Sequence, residues 1–557
     1  MKTDKIIQYL IMALLTLFLS VFLLLPVFTV IQGGCNLDLL LEAFRSQVYR
    51  QGLINSLMIA VVTTFMVALI SVPLALLYDR FEFKGREMCS LAMLLPMILP
   101  PFVGALGFQQ LLGHYGVLNS LLVKFGFERV DFLGGSGAFW AVCFIEALHL
   151  YPIFYLNIVT ALGNIDPALN EAAANMGASR WERFRRITLP LLRPGLLAGG
   201  SIVLVWSFTE LGTPLMFGFN RITPVQIFNG INEMETNPMP YALVLIMLVF
   251  SGGLYLLSRI LLGGRGMNNS VKGSTGGSAV KLHSWKAWMP TAAFVFVSLL
   301  AVLPHLALIG VAFCKRYYNT ILPEGFTLEH FDAALSNPLV LPSIGNSLRY
   351  SGLAMLVAVV IGVVVAMSAI RWRLKGAVML DLLSMLPLAV PGVVIAFGFL
   401  GMAYKYEWAK VLFNPVENPL WLLSIAYAVR RIPYVVRSVG AGLEQTPEEL
   451  ENAARNFGAT PLQVIIRITV PLIAANLLVG GLFAFSFSML EVSDSLILAQ
   501  KSEFFPITKA LYELSQILGS GSTSASAFGV WAMCFLALTL ISAGILMGKK
   551  IGSIFKF

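Results

Sequence analysis

Charged residues are scarce in this chain: 12% of its 557 residues are Asp, Glu, Lys or Arg, whereas 57% are hydrophobic. A soluble domain could not bury so much apolar side chain, so the composition excludes the soluble classes and indicates a polytopic membrane protein. The five cysteines lack any C-x-x-C spacing, which excludes a redox motif or a zinc site of that type.

Two enzyme motifs are also absent. The chain contains no G-x-x-x-x-G-K-[ST], the P-loop that cradles nucleotide phosphates, and no H-E-x-x-H, the helical zinc motif of metalloproteases. The few histidines are dispersed along the chain. We therefore predict no catalytic residue, no metal site and no cofactor bound by this chain.

Long apolar runs dominate what is present. About twelve of them are long enough to cross the roughly 30 Å hydrocarbon core. They are uninterrupted, which predicts helices rather than the alternating strands of a membrane barrel. The runs lie at 7–30, 53–78, 88–112, 135–160, 191–216, 240–263, 288–314, 344–370, 378–404, 418–440, 472–498 and 524–549.

The distribution of Lys and Arg predicts the orientation. Loops on one side carry clusters such as Arg183, Arg185 and Arg186, whereas the loops on the other side are poorer in cations. The positive-inside rule then places both chain termini in the cytoplasm.

Two polar interruptions of the chain are versions of one another. Asn170 to Pro190 reads NEAAANMGASRWERFRRITLP, and Glu451 to Pro471 reads ENAARNFGATPLQVIIRITVP. Aligning Gly177 with Gly458 also aligns the paired alanines, an Arg-Ile-Thr triplet and the final prolines. The two stretches are therefore predicted to be duplicated cytosolic elements.

The duplication extends into the membrane. Asn55-Ser56-Leu57 aligns with Asn346-Ser347-Leu348, Lys84-Gly85 with Lys375-Gly376, and Glu210 with Glu491. Six runs in each half give both halves the same direction, so we predict parallel repeats. The predicted domains are a first repeat at 1–263, a flexible cytosolic linker at 264–286 that is rich in Gly, Ser and Asn, and a second repeat at 287–557.

Each duplicated element is predicted to form two short capped helices joined by a glycine bend. Asp166 and Thr446 are predicted helix starts, and Gly177 and Gly458 the left-handed caps. Capping boxes from Ser179 to Glu182 and from Thr460 to Gln463 start the second helices. We call residues 166–190 the first knob and residues 446–471 the second knob.

The pattern E-A-A-x-x-x-G followed by I-x-L-P resembles the signature of permease subunits of binding-protein-dependent ABC importers. The resemblance implies an all-α membrane protein of the type I importer permease kind, with both knobs acting as coupling loops for a separate ATPase. It assigns ATPase coupling to Glu171, Ala172, Ala173, Gly177 and Pro190, and to Glu451, Ala453, Ala454, Gly458 and Pro471. The second copy departs from the signature, since Asn452 occupies the position of Glu171.

The same resemblance implies partners and a place in the cell. The partners are ABC ATPase subunits, which use ATP and Mg²⁺, and an extracytoplasmic substrate-binding protein; no nucleic acid is implied. The location is the bacterial cytoplasmic membrane. The chain itself is then a transport subunit that works by alternating access and not an enzyme.

A few ionisable residues lie within the apolar runs, where such groups are functional candidates. Glu210 and Glu491 occupy equivalent positions, and Asp494 follows within about one helical turn of the second. These carboxylates could line a path for a cation. Alternatively, each glutamate pairs with a basic residue, for which Arg430 and Arg431 are candidates, and those arginines could instead receive an anion.

Fused permeases of this length with a proline-rich third span resemble the iron(III) importer family most, which favours ferric iron as the substrate. Fused thiamine and aminoethylphosphonate permeases are alternatives. An ion-coupled secondary transporter is an alternative from another class, because twelve spans in two parallel halves suit it equally. The paired knobs favour the ABC importer, since a secondary transporter has no ATPase for them to engage.

Overall fold

The computed structural model describes residues 2–98, 101–234, 236–263 and 280–547. Fourteen helices of ten or more residues lie in these ranges. They are α1 (Lys2–Leu19), α2 (Leu25–Gly34), α3 (Gln47–Arg80), α4 (Pro101–Leu112), α5 (Gly135–Gly163), α6 (Leu189–Phe208), α7 (Met239–Gly263), α8 (Trp288–Phe313), α9 (Val340–Ile370), α10 (Gly392–Lys405), α11 (Leu420–Gln445), α12 (Ala474–Met489), α13 (Ile507–Gln516) and α14 (Gly521–Met547).

Shorter elements connect the long helices. The short α-helices are Leu37–Arg45, Arg86–Ala92, Leu95–Ile98, Val117–Lys124, Pro167–Asn175, Arg180–Arg183, Gly212–Met216, Thr223–Asn229, Glu329–Ser336, Ala377–Met385, Glu407–Leu412, Glu449–Asn456, Pro461–Val464, Val470–Leu472 and Ser493–Leu498. Two-residue strands Phe81–Glu82 and Val280–Lys281 pair in parallel, and Cys314–Arg316 pairs antiparallel with Glu324–Phe326. Most of the predicted linker, residues 264–279, lies outside the described residues.

The chain divides into two compact units that do not follow the predicted repeat boundaries. The first unit contains the described residues of Gln47–Val225 and Val249–Thr327. The second contains those of Met1–Ser46, Gln226–Leu248 and Leu328–Ile551. The first unit therefore includes α8, the first long helix of the second half, and the second unit includes α1, the first long helix of the first half. The predicted domain boundaries describe repeats in the sequence and remain a prediction.

Each unit has its own apolar core. In the first unit Tyr151, Tyr155 and Phe154 from α5 pack with Val67 of α3, and Phe294 of α8 joins them. In the second unit the core lies mainly between α9 and α11, and Leu19 of α1 is fully buried against it. The exchanged helices are thus part of the cores.

Membrane-spanning helices account for most of the predicted runs. Eight described helices are long and apolar enough to cross a membrane, or up to eleven if each of three bent pairs is one span. Eleven of the twelve predicted runs match these spans. The remaining run, 418–440, coincides with α11, whose Arg430, Arg431 and Arg437 set it apart from the apolar helices. The all-α membrane fold is confirmed.

Sharp bends interrupt the third span of the second repeat. The segments Ala377–Leu388 and Gly392–Lys405 meet at 103°. Pro391 lies at this break and caps α10, because its ring fixes φ and it has no N–H to donate to a preceding turn. The corresponding segments of the first repeat, Arg86–Met97 and Pro101–Lys124, meet at 91°. The repeats therefore share a broken third span.

Close helix packing in the first unit depends on Gly107 of α4. A Cβ atom added there would lie 1.8 Å from the backbone oxygen of Pro304 in α8. Backbone cannot move aside as a flexible side chain can, so the two helices require a residue without a side chain at this contact.

We predict that Gly107→Ala destabilises the protein by about 1–3 kcal/mol through overpacking. The measurement is the thermal midpoint of the purified protein in detergent, which is the temperature at which half of the monodisperse protein has been lost. Gly253→Ala is the matched control, because no described atom outside its own stretch of helix lies within 4 Å of the added Cβ. Equal midpoints for the two variants would contradict the packing argument.

Candidate functional site

The first knob forms as two capped helices. Asp166 accepts a hydrogen bond from the amide of Ala168 at 2.9 Å and begins helix Pro167–Asn175. Gly177, with φ of +83°, ends this helix, and the next amide, of Ala178, bonds back to the carbonyl of Ala173. This six-to-one bond is the Schellman arrangement, and glycine adopts the required positive φ without strain.

The second knob has the same bend. Gly458 has φ of +87°, and the amide of Ala459 bonds to the carbonyl of Ala454 at 3.0 Å. The predicted start at Thr446 is wrong, however. The helix begins at Glu449 without a side-chain cap, and the hydroxyl of Thr446 instead donates to the carbonyl of Gly442 inside α11.

Both predicted capping boxes are present. Ser179 and Glu182 exchange hydrogen bonds at 3.2 and 3.0 Å, and Thr460 and Gln463 do so at 3.4 and 2.9 Å. A five-residue π-helical turn follows in each knob, at Phe184–Thr188 and Ile465–Thr469. These turns occupy equivalent positions, so the repeated sequence produces a repeated backbone.

Apolar side chains project from both knobs at matching positions. Met176 is 82% exposed and its equivalent Phe457 is 92% exposed. Two further matched pairs are exposed by about half or more. The six residues, which we call the knob patches, are Leu169, Met176 and Trp181 in the first knob and Leu450, Phe457 and Leu462 in the second. Large apolar side chains at such exposure are typical of a surface that a partner covers.

The predicted coupling residues differ in their accessibility. Most of them are exposed: Glu171, Ala172, Gly177, Ala453, Gly458 and Pro471. Pro190 and Ala454 are half-buried, and Ala173 is buried. Their assignment to ATPase coupling remains a prediction.

Glu451 behaves differently from the other coupling residues. Its side chain is only 3% exposed and lies 3.0 Å from the Nε of Arg371. The hydroxyl of Thr469 also donates to this carboxylate, at 3.1 Å. Glu451 therefore faces the interior of the second unit, away from the surface that presents Phe457.

Four of the predicted path residues form one cluster in the second unit, in which Arg431, Glu491 and Asp494 are buried and Arg430 is half-buried. Arg430 and Arg431 of α11 both donate to Glu491, and Arg430 also donates to Asp494 at 3.4 Å. Gly392 leaves room for the guanidinium of Arg430, since an added Cβ would lie 2.7 Å from it. For Glu491 the structure therefore has the ion-pair arrangement, with two positive charges facing two negative ones.

Glu210 lies in the first unit and has a different environment. Its carboxylate accepts hydrogen bonds from the amides of Gly212 and Thr213, at 3.1 and 3.3 Å. The positions equivalent to Arg430 and Arg431 hold His149 and Leu150. No group of three or more His, Cys, Asp or Glu residues that could hold a metal ion occurs in the described part of the chain.

Arg371 has a role that its place in the sequence does not reveal. It is the first cation after the apolar run at 344–370. The positive-inside rule is sufficient to explain a positive charge at that position. Only the fold shows that its side chain is 5% exposed and directed into the second knob. The signal in the sequence was the exchange of Asn170 in the first copy for Glu451 in the second.

Known proteins resemble this chain in both halves. Residues 71–263 and 358–547, more than half of the chain, match the family model described as a binding-protein-dependent transport system inner membrane component. A Haemophilus influenzae permease protein named for ferric transport is 25% identical over 459 residues, which cover 80% of this chain and 69% of that protein.

Two other relatives bear on the substrate. A second Haemophilus influenzae protein, an Fe(3+)-transport system permease protein, is 26% identical over 447 residues, which cover 80% of each chain. A Salmonella choleraesuis permease protein named for 2-aminoethylphosphonate transport is 29% identical over 236 residues, which cover 41% of this chain and 82% of that protein.

We predict that Gly177→Val and Gly458→Val disorder the knobs. Open space surrounds both glycines, so the cost is backbone strain at positive φ, roughly 1–2 kcal/mol. Hydrogen exchange of the knob amides should accelerate, and transport should fall without loss of the protein from the membrane. Gly177→Asn and Gly458→Asn are the controls, because asparagine tolerates positive φ better. Unchanged exchange and transport in both valine variants would contradict this prediction.

Proposed function

Because this chain belongs to the family of binding-protein-dependent transport system inner membrane components, it is an ABC importer permease, and we propose that its two knobs dock onto the importer's ATPase subunits. It is a multi-pass inner-membrane protein and not itself an enzyme. The family match favours this function over the secondary transporter.

The knob patches carry the proposal. Three apolar side chains project at equivalent positions of each knob, with exposures that match pair by pair. The capped helices hold these side chains on a compact backbone, so little conformational entropy is lost when a partner covers them. Two matching surfaces suit two ATPase subunits, which would bind the ATP and Mg²⁺ of the transport cycle.

The orientation follows from the same assignment. A cytosolic ATPase requires both knobs on the cytoplasmic side, where the distribution of Lys and Arg also places them. Both chain termini are then cytoplasmic, and an extracytoplasmic binding protein delivers substrate to the opposite side. Alternating access between the two sides is the transport mechanism.

We predict that Met176→Asp together with Phe457→Asp releases the ATPase, because a buried carboxylate at a docking surface is costly to desolvate. The measurement is affinity purification of the full-length protein from its native membrane, with mass spectrometry of the co-purifying chains. Leu518→Asp is the matched control, since Leu518 is 95% exposed and lies outside the knobs. Absence of any P-loop ATPase from the wild-type sample would refute docking itself.

Ferric iron is the proposed substrate. The supporting observation is that two relatives named for ferric or Fe(3+) transport align over 80% of this chain. The relative named for 2-aminoethylphosphonate transport aligns over 41% and makes that phosphonate the second candidate. Glu210 is the carboxylate that we propose for the path, because Glu491 is occupied by two arginines.

We predict that cells carrying this importer take up radiolabelled ferric iron and that Glu210→Gln reduces the uptake, whereas excess 2-aminoethylphosphonate does not compete. Glu491→Gln should instead destabilise the protein by about 3–5 kcal/mol, because two buried arginines lose a carboxylate. Uptake and membrane abundance are measured together for each variant. Uptake of labelled phosphonate without uptake of iron would reverse the substrate assignment.

A further inference from the structure

The second knob is fastened to the end of α9 by Arg371. The Nε of Arg371 lies 3.0 Å from Glu451, and its Nη2 donates to the carbonyls of Leu443 and Thr446 at 2.9 and 2.7 Å. Thr469, at the end of the π-helical turn, donates to the same carboxylate. One buried guanidinium thus joins the end of α9 to the end of α11 and to the first helix of the knob.

The far end of α9 is fastened as well. Asn346 donates to the carbonyl of Glu503 at 2.8 Å, and Tyr350 donates to the carbonyl of Phe504 at 3.1 Å. The hydroxyl of Ser347 accepts a hydrogen bond from the amide of Ile507 at 2.8 Å. We call residues 503–507 the far segment. It ends at Ile507, the first residue of α13.

The helix between these two attachments is a single rod. α9 has 31 residues, which at 1.5 Å per residue makes it about 46 Å long. Its only proline, Pro342, lies in the first turn, where the ring disturbs no helical hydrogen bond. A displacement at one end of such a helix is therefore passed to the other end.

Among the residues that the structure describes, the first repeat has one of the two attachments. Asn55 donates to the carbonyl of Arg221 at 2.7 Å, and Ser56 accepts from the amide of Thr223, so the far end of α3 is fastened in the same manner. The knob end differs in its chemistry, because the equivalents of Arg371 and Glu451 are Arg80, which is exposed, and Asn170, which is neutral.

Two further observations in the first repeat support this difference. Thr188, the equivalent of Thr469, is buried, and its hydroxyl has no hydrogen-bond partner among the residues that the structure describes. α3 also contains Pro73 in its interior, which weakens it as a rod.

We propose that α9 is a lever that passes displacements of the second knob to the far segment, with Arg371 as the positioning residue at its base. The first knob docks, but no equivalent ion pair joins it to α3 among the described residues. This inference rests on the proposed function for the source of the displacement, which is closure of the ATPase subunits. The coupling between the second knob and the far segment is a property of the permease alone. It depends on a rigid helix and on buried polar contacts at its ends, which are the kind of elements that carry energetic coupling between sites.

The test is hydrogen exchange of the full-length protein in lipid nanodiscs, read at both knobs and at the far segment. Arg371→Gln should accelerate exchange about tenfold in the helix Glu449–Asn456 and also in the far segment, whose contact at Asn346 lies about 37 Å along α9 from Arg371. Arg80→Gln, the same substitution at the equivalent position, is the matched control and should change neither its own knob nor residues 221–223. If Arg371→Gln does not accumulate, Glu451→Gln replaces it, because it removes only the charge of the knob partner.

Measurements of ATP hydrolysis and of uptake distinguish a lost lever from a knob that is only loosened. The complex of Arg371→Gln with the ATPase should still hydrolyse ATP while its uptake of labelled ferric iron falls about tenfold, and the complex of Arg80→Gln should transport normally. The double variant Arg371→Gln with Glu451→Gln should be no worse than either single variant, as expected for two residues that act as one unit.

Acceleration confined to the knob, with the far segment unchanged, would overturn the lever. An equal loss of transport in Arg80→Gln would overturn the asymmetry between the repeats. Failure of the proposed function is distinguishable from both outcomes. In that case no ATPase co-purifies with the wild type, whereas exchange at the far segment still decides whether Arg371 couples the two ends of α9.

Discussion

The whole structure depends on one requirement of hydrocarbon, which is that backbone N–H and C=O groups must be hydrogen-bonded within the protein. Long helices satisfy it, and the described spans are long helices or bent pairs of helices. Where the backbone does turn sharply, as at Pro391, the proline itself is buried and its immediate neighbours are half-buried. The glycine bends of the knobs, at Gly177 and Gly458, precede the spans that begin at Arg180 and Pro461, so they do not interrupt a span.

Local sequence was sufficient for the repeats and for most of the knobs. Gly177 and Gly458 have positive φ as predicted, and both capping boxes form, because these features depend on residues only a few positions apart. Thr446 shows where local pattern fails. Its hydroxyl satisfies a carbonyl of the preceding helix, which a pattern of capping residues cannot distinguish from the start of the next one.

Long-range contacts could not be predicted from the same patterns. Hydropathy identified the run that contains Leu19, but nothing in the run indicates that it packs in the core of the second unit. Likewise, Arg430 and Arg431 were possible partners of Glu491, yet only the fold selects that pairing over an anion site. Because the sequence is duplicated, we expect the two knobs to be attached in the same way. The difference between Asn170 and Glu451 shows how one substitution gives equivalent knobs different attachments.

The exchange of first helices between the two cores has a consequence for biosynthesis. The segment Lys5–Gly34 precedes Leu328 in the chain, but the second unit that buries Leu19 is built largely from residues after Leu328. This span must therefore wait in the bilayer, without its final partners, until the helices after Leu328 have been inserted. Contacts so distant in sequence form slowly. A truncated translation product would expose apolar helix faces to lipid and to membrane proteases, so quality control can distinguish an incomplete chain from a finished one.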